Sequence, residues 1–179
     1  PMTGIRVDVD TFARAETNRM LAGIAQQAGG VNRLQHLRVP TPLDKQTVIR
    51  MNRDTLYSFA VVDLSEGATL TIPETNGRYL SVMVVNQDHY INHVFHTPGV
   101  RTLTMAQFDT QYVLVAARTL ADPNDPADIA AANAVQDGLA IEAASAQPFV
   151  LPDYDTDSFD QVRAALIELL GKPIDESTA

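Results

Sequence analysis

Arg78-Tyr79-Leu80-Ser81-Val82-Met83-Val84-Val85-Asn86-Gln87 is the stretch on which the fold turns. Along an extended chain successive side chains alternate, so Leu80, Val82 and Val84 share one face and Met83 and Val85 the other. Apolar groups on both faces need cover on both sides, which makes this segment a central strand of a layered domain. Residues 55–64, Thr-Leu-Tyr-Ser-Phe-Ala-Val-Val-Asp-Leu, are rich in aromatic and β-branched types and read as another strand. Residues 68–72 follow, ended by Pro73 and a turn at Thr75-Asn76-Gly77. Downstream, Pro98-Gly99 marks a turn before Arg101-Thr102-Leu103-Thr104, and residues 112–120 are a strong strand. Such short strands at this spacing predict an antiparallel sandwich or barrel-like core over about residues 47–120.

The flanks turn helical. Residues 8–28 place Val9, Phe12, Ala13, Met20, Leu21, Ile24 and Ala28 on one stripe, interrupted by Glu16 and Thr17 and stopped by Gly29-Gly30. Residues 31–46, around Pro40 and Pro42, show no periodicity. Asp125-Pro126 with Asp128 behind it is a helix start, since Pro tolerates the first position and carboxylates favour the positive end of the dipole. That helix is expected over about 126–146, with Gly138 as its weak point, before Pro148 and Pro152 break the chain. A last helix over 158–170 buries Phe159, Val162, Leu166 and Leu169, and Gly171 stops it. The class is therefore α+β. Residues 1–179 are expected to form one domain, with an N-terminal helix at about 8–28, the β core, and a helical C-terminal part at about 125–171.

Composition excludes several chemistries. There is no Cys, so disulfides, thiolate catalysis and Cys-based metal sites are absent. The formal charge is −9 and no Lys/Arg cluster offers a basic face, which argues against nucleic acid. No apolar run is long enough to span a bilayer, and the first twenty residues lack a hydrophobic export core. A cytoplasmic location is the expectation and a periplasmic one the alternative, with Pro1 a remnant ahead of a native start at Met2. No phosphate loop, nucleophile elbow or dinucleotide fingerprint appears, and Ser58 and Ser81 have no triad context.

Three of the four histidines fall within eight residues, at His89, His93 and His96. Imidazole titrates near neutral pH and is a common metal ligand. On a helix all three would share a face, but Tyr90, Ile91, Val94 and Phe95 favour extended chain, where His89 and His93 point one way and His96 the other. His89 and His93 are then candidates for acid/base catalysis. With a carboxylate from Asp54, Asp63 or Asp88 they are also candidates for a divalent metal, the one cofactor the sequence suggests. The bland alternative is local hydrogen bonding at strand ends.

Arg50-Met51-Asn52-Arg53-Asp54-Thr55 places polar groups directly before a strand. Alternation sets Arg53 with Thr55 and Tyr57, and Asn52 with Asp54. Arg53 and Tyr57 can hold an anionic ligand group, and Asp54 can orient a histidine, as catalytic pairs require. The alternative is an Arg–Asp pair bracing the strand entry. Arg78 and Arg118 carry the same ambiguity, and Gln136-Asp137 would be buried polar groups in need of partners.

These strings together carry a resemblance. Asn52-Arg53-Asp54-Thr55-Leu56-Tyr57-Ser58, Gly77-Arg78-Tyr79, Asp88-His89-Tyr90, Pro98-Gly99, Tyr112-Val113 and Gln136-Asp137 resemble bacterial proteins with domain of unknown function 1254. Arg14-Ala15-Glu16 and His36-x-Arg38 also look like parts of that pattern, so the resemblance covers about residues 10–140. It implies a β-rich domain with helical additions, and longer relatives that append a jelly-roll domain. A role in carbohydrate degradation or molecular recognition has been suggested for the family.

The expected function is that of a small-molecule enzyme acting on a polar or anionic, carbohydrate-like substrate. His89, His93 and Asp54 would serve catalysis, and Arg53, Tyr57, Arg78 and Tyr90 the substrate. The alternative is a non-catalytic ligand-binding module, or a homo-oligomer assembled through an exposed strand edge or the C-terminal helix.

Overall fold

The computed structural model of the chain describes residues 4–40 and 54–170. Helix α1 (Phe12–Ala28) leads to β1 (Gln35–His36), β2 (Thr55–Asp63), β3 (Ala68–Ile72), β4 (Leu80–Asn86), β5 (Ile91–Phe95) and β6 (Gly99–Leu103). Then come the short α2 (Met105–Phe108), β7 (Tyr112–Leu120), α3 (Pro126–Asp137), β8 (Ala140–Ala143) and α4 (Thr156–Leu170). One sheet has the order β1-β2-β7-β4-β5 and a second the order β6-β3-β8, with every pairing antiparallel. The α+β class, the N-terminal helix and the C-terminal helices are as expected, and both sheets are open, so the core is a sandwich and not a barrel.

Strand β4 lies between β7 and β5, as its two-faced apolar pattern requires. Its Leu80, Val82 and Val84 meet Val62, Val113 and Val115 of their own sheet and Leu70, Ile72 and Leu103 of the facing one. Its Val85 lies on the opposite face, where Leu21 and Ala25 of α1 cover Val61, Leu114 and Ala116. Leu70, Leu103 and Phe108 are essentially fully buried. Each such side chain contributes about 1.5–3 kcal/mol from removal of apolar surface from water. The layers are thus helix, five-stranded sheet, three-stranded sheet.

Four expectations change. The helix foreseen over 126–146 stops at Asp137, and Ala140–Ala143 is a strand that pairs with β3, Leu70 opposite Ile141. Gly138 is the reason. A Cβ there would sit 2.5 Å from Pro73 Cβ, so the chain can turn against the β3–β4 connection only as glycine. Local helix preference of Ala-Ile-Glu-Ala then yields to the open edge of β3. In α1 the buried positions are Phe12, Ala15, Thr17, Asn18, Leu21 and Ala25, whereas Val9, Ala13 and Met20 of the foreseen stripe are exposed. In α4, Phe159, Val162 and Leu166 pack on Val7, Phe12 and Ala15, but Leu169 is 70% exposed. Finally, the strand does not continue from Gln87 through the histidines; a tight turn intervenes. Pro42, Arg50, Asn52, Arg53 and the Gly171 stop lie outside the described residues.

Candidate functional site

The turn after β4 carries His89, and helix α1 holds it residue by residue. Asn86, 2% exposed, organises the backbone: its Oδ1 accepts the N–H groups of Asp88 and Tyr90, both at 3.0 Å, and its Nδ2 donates to the Phe108 carbonyl at 3.1 Å. This bends His89 into the left-handed region at φ +65°, which side chains other than glycine enter at a cost. Three successive turn side chains then meet three from α1. Gln87 Nε2 donates to Asn18 Oδ1 at 2.9 Å, Arg14 grips both oxygens of Asp88 at 2.6 and 2.9 Å, and Thr17 Oγ1 lies 3.2 Å from His89 Nδ1. The Arg14 guanidinium holds the Asp88 carboxyl below its ordinary range against the opposing effect of burial. Gln87 Oε1 also accepts the Tyr112 N–H at 3.2 Å, and Asn18 Nδ2 donates to the Tyr154 hydroxyl at 2.7 Å. His89 therefore has a fixed ring beside a shallow pocket of about 400 Å³ lined with Phe12, Glu16, Thr17 and Met20.

The larger concavity is elsewhere. A cleft of about 710 Å³ opens between the start of β2, the β3–β4 turn and the end of β7 with α3. Asp54, Arg78, Asp122 and Asp128 supply its charged groups, Thr75 and Asn76 add neutral polar ones, and Leu120 and Val135 are among its apolar ones. Arg78 donates to Asp128 Oδ1 and Oδ2 at 2.7 and 3.1 Å and to the Leu120 carbonyl at 2.8 Å. Arg78 and the Asp122 N–H together hold the Asp128 carboxyl down to about 2. The Asp54 carbonyl accepts the Ala121 N–H at 2.8 Å and ties strand β2 to this wall.

Of the described residues expected to form one pocket, the structure brings only Asp54 and Arg78 together in a cleft. His93 is on β5 opposite Val84, its ring stacked on Phe95 at 5.6 Å and edge-on to Phe108 at 5.5 Å, so it faces the second sheet while His89 faces α1. The paired face expected for His89 and His93 is broken by the turn and by an irregularity between Val84 and Val85. Tyr57 stacks on Phe59 with the Arg118 guanidinium 5.8 Å from its ring centre, and Tyr90 is 69% exposed. Asp63 is committed to Ser65, Gln111, Ser145 and Gln147, and Asp88 to Arg14. Among the described residues, no group of three or more histidine or carboxylate side chains is placed to hold a metal ion. Arg53 lies outside them.

One polar cluster has no counterpart in the expected site. His36 Nδ1 lies 2.7 Å from Ser58 Oγ, and Gln136 Nε2 donates to that oxygen at 3.3 Å and to the Leu37 carbonyl at 3.1 Å. Arg38 joins the cluster through Asp137 at 2.6 Å and the Asn133 carbonyl at 2.9 Å. Ser58 thus has a histidine partner after all, but it is fully buried and out of reach of a substrate. Gln136, also fully buried, finds the partners that its place in a helix demanded. The signals were a fourth histidine standing apart at position 36 and a glutamine on an alanine-rich helix.

The fold and these sites define a mixed helix and antiparallel-sheet domain with two open sheets. Residues 31–103 match the family model described as "Protein of unknown function (DUF1254)", so the resemblance to that family holds across this segment. Among solved structures, the crystal structure of the VPA0106 protein from Vibrio parahaemolyticus is similar, with a TM-score of 0.58 and 18% identity. The likeness covers 76% of this chain but 36% of that one, so this chain spans little more than a third of its neighbour's length. At that identity the likeness is one of fold. No curated protein matches the chain. No helix among the described residues is long and apolar enough to cross a membrane.

Proposed function

We propose that the domain binds a polar, hydroxyl-rich small molecule in the Asp54–Arg78 cleft, as a carbohydrate-like ligand would require. The observation that carries this reading is the meeting of Asp54, Arg78, Asp122 and Asp128 around about 710 Å³ of open space, a size suited to a small ligand. Three carboxylates against one guanidinium, itself already engaged by Asp128, disfavour an anionic ligand and favour hydroxyl donors or a cation. The apolar groups of Leu120 and Val135 suit the C–H surface of such a molecule. Because His89 and His93 line other parts of the molecule, the reading is one of binding, with no acid/base step assigned to them.

The test is saturation-transfer NMR with neutral oligosaccharides, polyols, amino sugars and uronic acids, followed by titration calorimetry on the hits. Neutral or cationic members should bind, and Asp54→Asn or Asp122→Asn should weaken them at least about tenfold, the loss expected for a charge-assisted hydrogen bond. Binding only by the uronic acids, no binding by any member, or equal affinity in both variants would overturn the proposal.

A further inference from the structure

Four strand edges end the two sheets among the described residues, and three of them are blunted. Strand β1 is two residues long, β6 carries Arg101, and β8 carries Glu142. Short length and charge are the usual means by which a sheet edge is kept from pairing with another chain. Strand β5 has neither. Ile91-Asn92-His93-Val94-Phe95 is five residues long, without Asp, Glu, Lys, Arg or Pro, in a chain of net charge −9. It is the last strand of its sheet, with β4 on one side and no described strand on the other. Two of its three exposed side chains are apolar: Ile91 is 58% exposed and Val94 48%, beside the exposed His93, and Tyr90 just before them is 69% exposed.

We infer that β5 is the interface between two copies of this chain, which join edge to edge in antiparallel fashion into one continuous sheet. A second copy is the occupant that the local charge favours. Asp88, the nearest carboxylate in sequence, is paired with Arg14, and the Arg101 guanidinium lies 5.3 Å from the Phe95 ring centre, so two copies approach here without the carboxylate repulsion that a chain of charge −9 meets elsewhere. A two-fold axis perpendicular to the sheet keeps both α1 helices on one side. A register centred on Val94 sets the two Val94 side chains against each other on the α1 face. On the opposite face it sets His93 beside Phe95 of the second copy, which repeats across the interface the aromatic stack that each strand already makes. An edge of five residues buries less than a standard interface, so the dimer is a reversible one in the micromolar range.

Sedimentation equilibrium from about 1 µM to about 1 mM protein reads the state directly, a window that spans weak and moderate affinity. Dimer should appear within it, and hydrogen exchange at residues 91–95 should slow as the concentration rises. Val94→Lys, which opposes two ammonium groups at the axis, should shift the midpoint at least about tenfold toward monomer, with an unchanged circular dichroism spectrum. If that variant unfolds, Ile91→Lys makes the same test one turn of the pleat away from the centre. A wild-type monomer throughout the range would overturn the inference, and so would a dimer that survives both folded variants or leaves residues 91–95 unprotected. None of these results bears on the Asp54–Arg78 cleft.

Discussion

Asp63→Asn tests the most heavily hydrogen-bonded carboxylate in the molecule's described part. Asp63 is fully buried at the end of β2. Its Oδ1 accepts the Ser65 N–H at 2.9 Å and Gln111 Nε2 at 3.4 Å, and its Oδ2 accepts the Ser145 hydroxyl at 2.9 Å and the Gln147 N–H at 2.8 Å. Every partner is a donor, so an amide cannot satisfy them all. In either orientation the new NH₂ group points at a backbone N–H, that of Ser65 or that of Gln147. One charge-assisted bond worth about 1.5–3 kcal/mol is lost, and a buried N–H without an acceptor costs about 1–3 kcal/mol more. Relaxation offsets part of this, leaving about 3 kcal/mol, a large share of an ordinary domain's stability. At about 2–4 °C per kcal/mol for a chain of this size, the midpoint should fall by roughly 6–12 °C. Burial raises the Asp63 carboxyl, but the hydrogen bonds from Ser65, Gln147 and Ser145 outweigh it and the net shift is downward from 3.8. A carboxyl lowered on folding stabilises above its unfolded value, and that stability is lost as pH falls through the lower, folded value. Urea unfolding should therefore show wild type losing stability below about pH 4 more steeply than the variant, which has nothing to titrate. A variant within about 0.5 kcal/mol of wild type at pH 7, with a parallel acid limb, would refute the reasoning.

Two further outcomes follow from named contacts. Gly138→Ala should cost about 1–3 kcal/mol through overpacking against Pro73, and Pro73→Gly, which removes the Cβ it meets, should show a smaller cost of Gly138→Ala in the double variant than in wild type, as thermal unfolding of the single and double variants would show. His36 is held below 6.5 by burial and by Arg38, against the opposing pull of Asp137, so the neutral ring is the folded form. Its contribution is complete above the unfolded value and is lost as pH falls through the folded one, so wild type should weaken between about pH 7 and 5 more than His36→Gln does, measured by urea midpoints.

The layered core was legible because its signal is local. Period-two alternation and two-faced apolarity identify β2, β4 and β7 without knowledge of their neighbours, and β7 spans the foreseen residues 112–120. The errors fall where a partner distant in sequence decides. Ala140–Ala143 is a strand because β3 offers an edge, and the preceding helix ends because Pro73 passes close to Gly138. The histidines split because Asn86 gathers the Asp88 and Tyr90 N–H groups into a turn, which no alternation rule foresees. The candidate site was legible only in part for the same reason. Asp54 and Arg78 do share a cleft, but the partner of Arg78 is Asp128, fifty residues downstream.

The interruption of the α1 stripe by Glu16 and Thr17 was another long-range signal present in plain view. Buried polar side chains on a helix are costly unless bonded, so a helix that keeps Thr17 and Asn18 at 2% and 3% exposure must be meeting polar groups of the same pitch. It meets Gln87 and His89, which lie two residues apart on a turn, and Arg14 meets Asp88 between them. Apolar contact alone would let α1 slide along the sheet by a residue at small cost, whereas three pairs of different chemistry admit a single position. The position of the helix and the conformation of the His89 turn are thus one decision, made by the residues that spoil the amphipathic pattern.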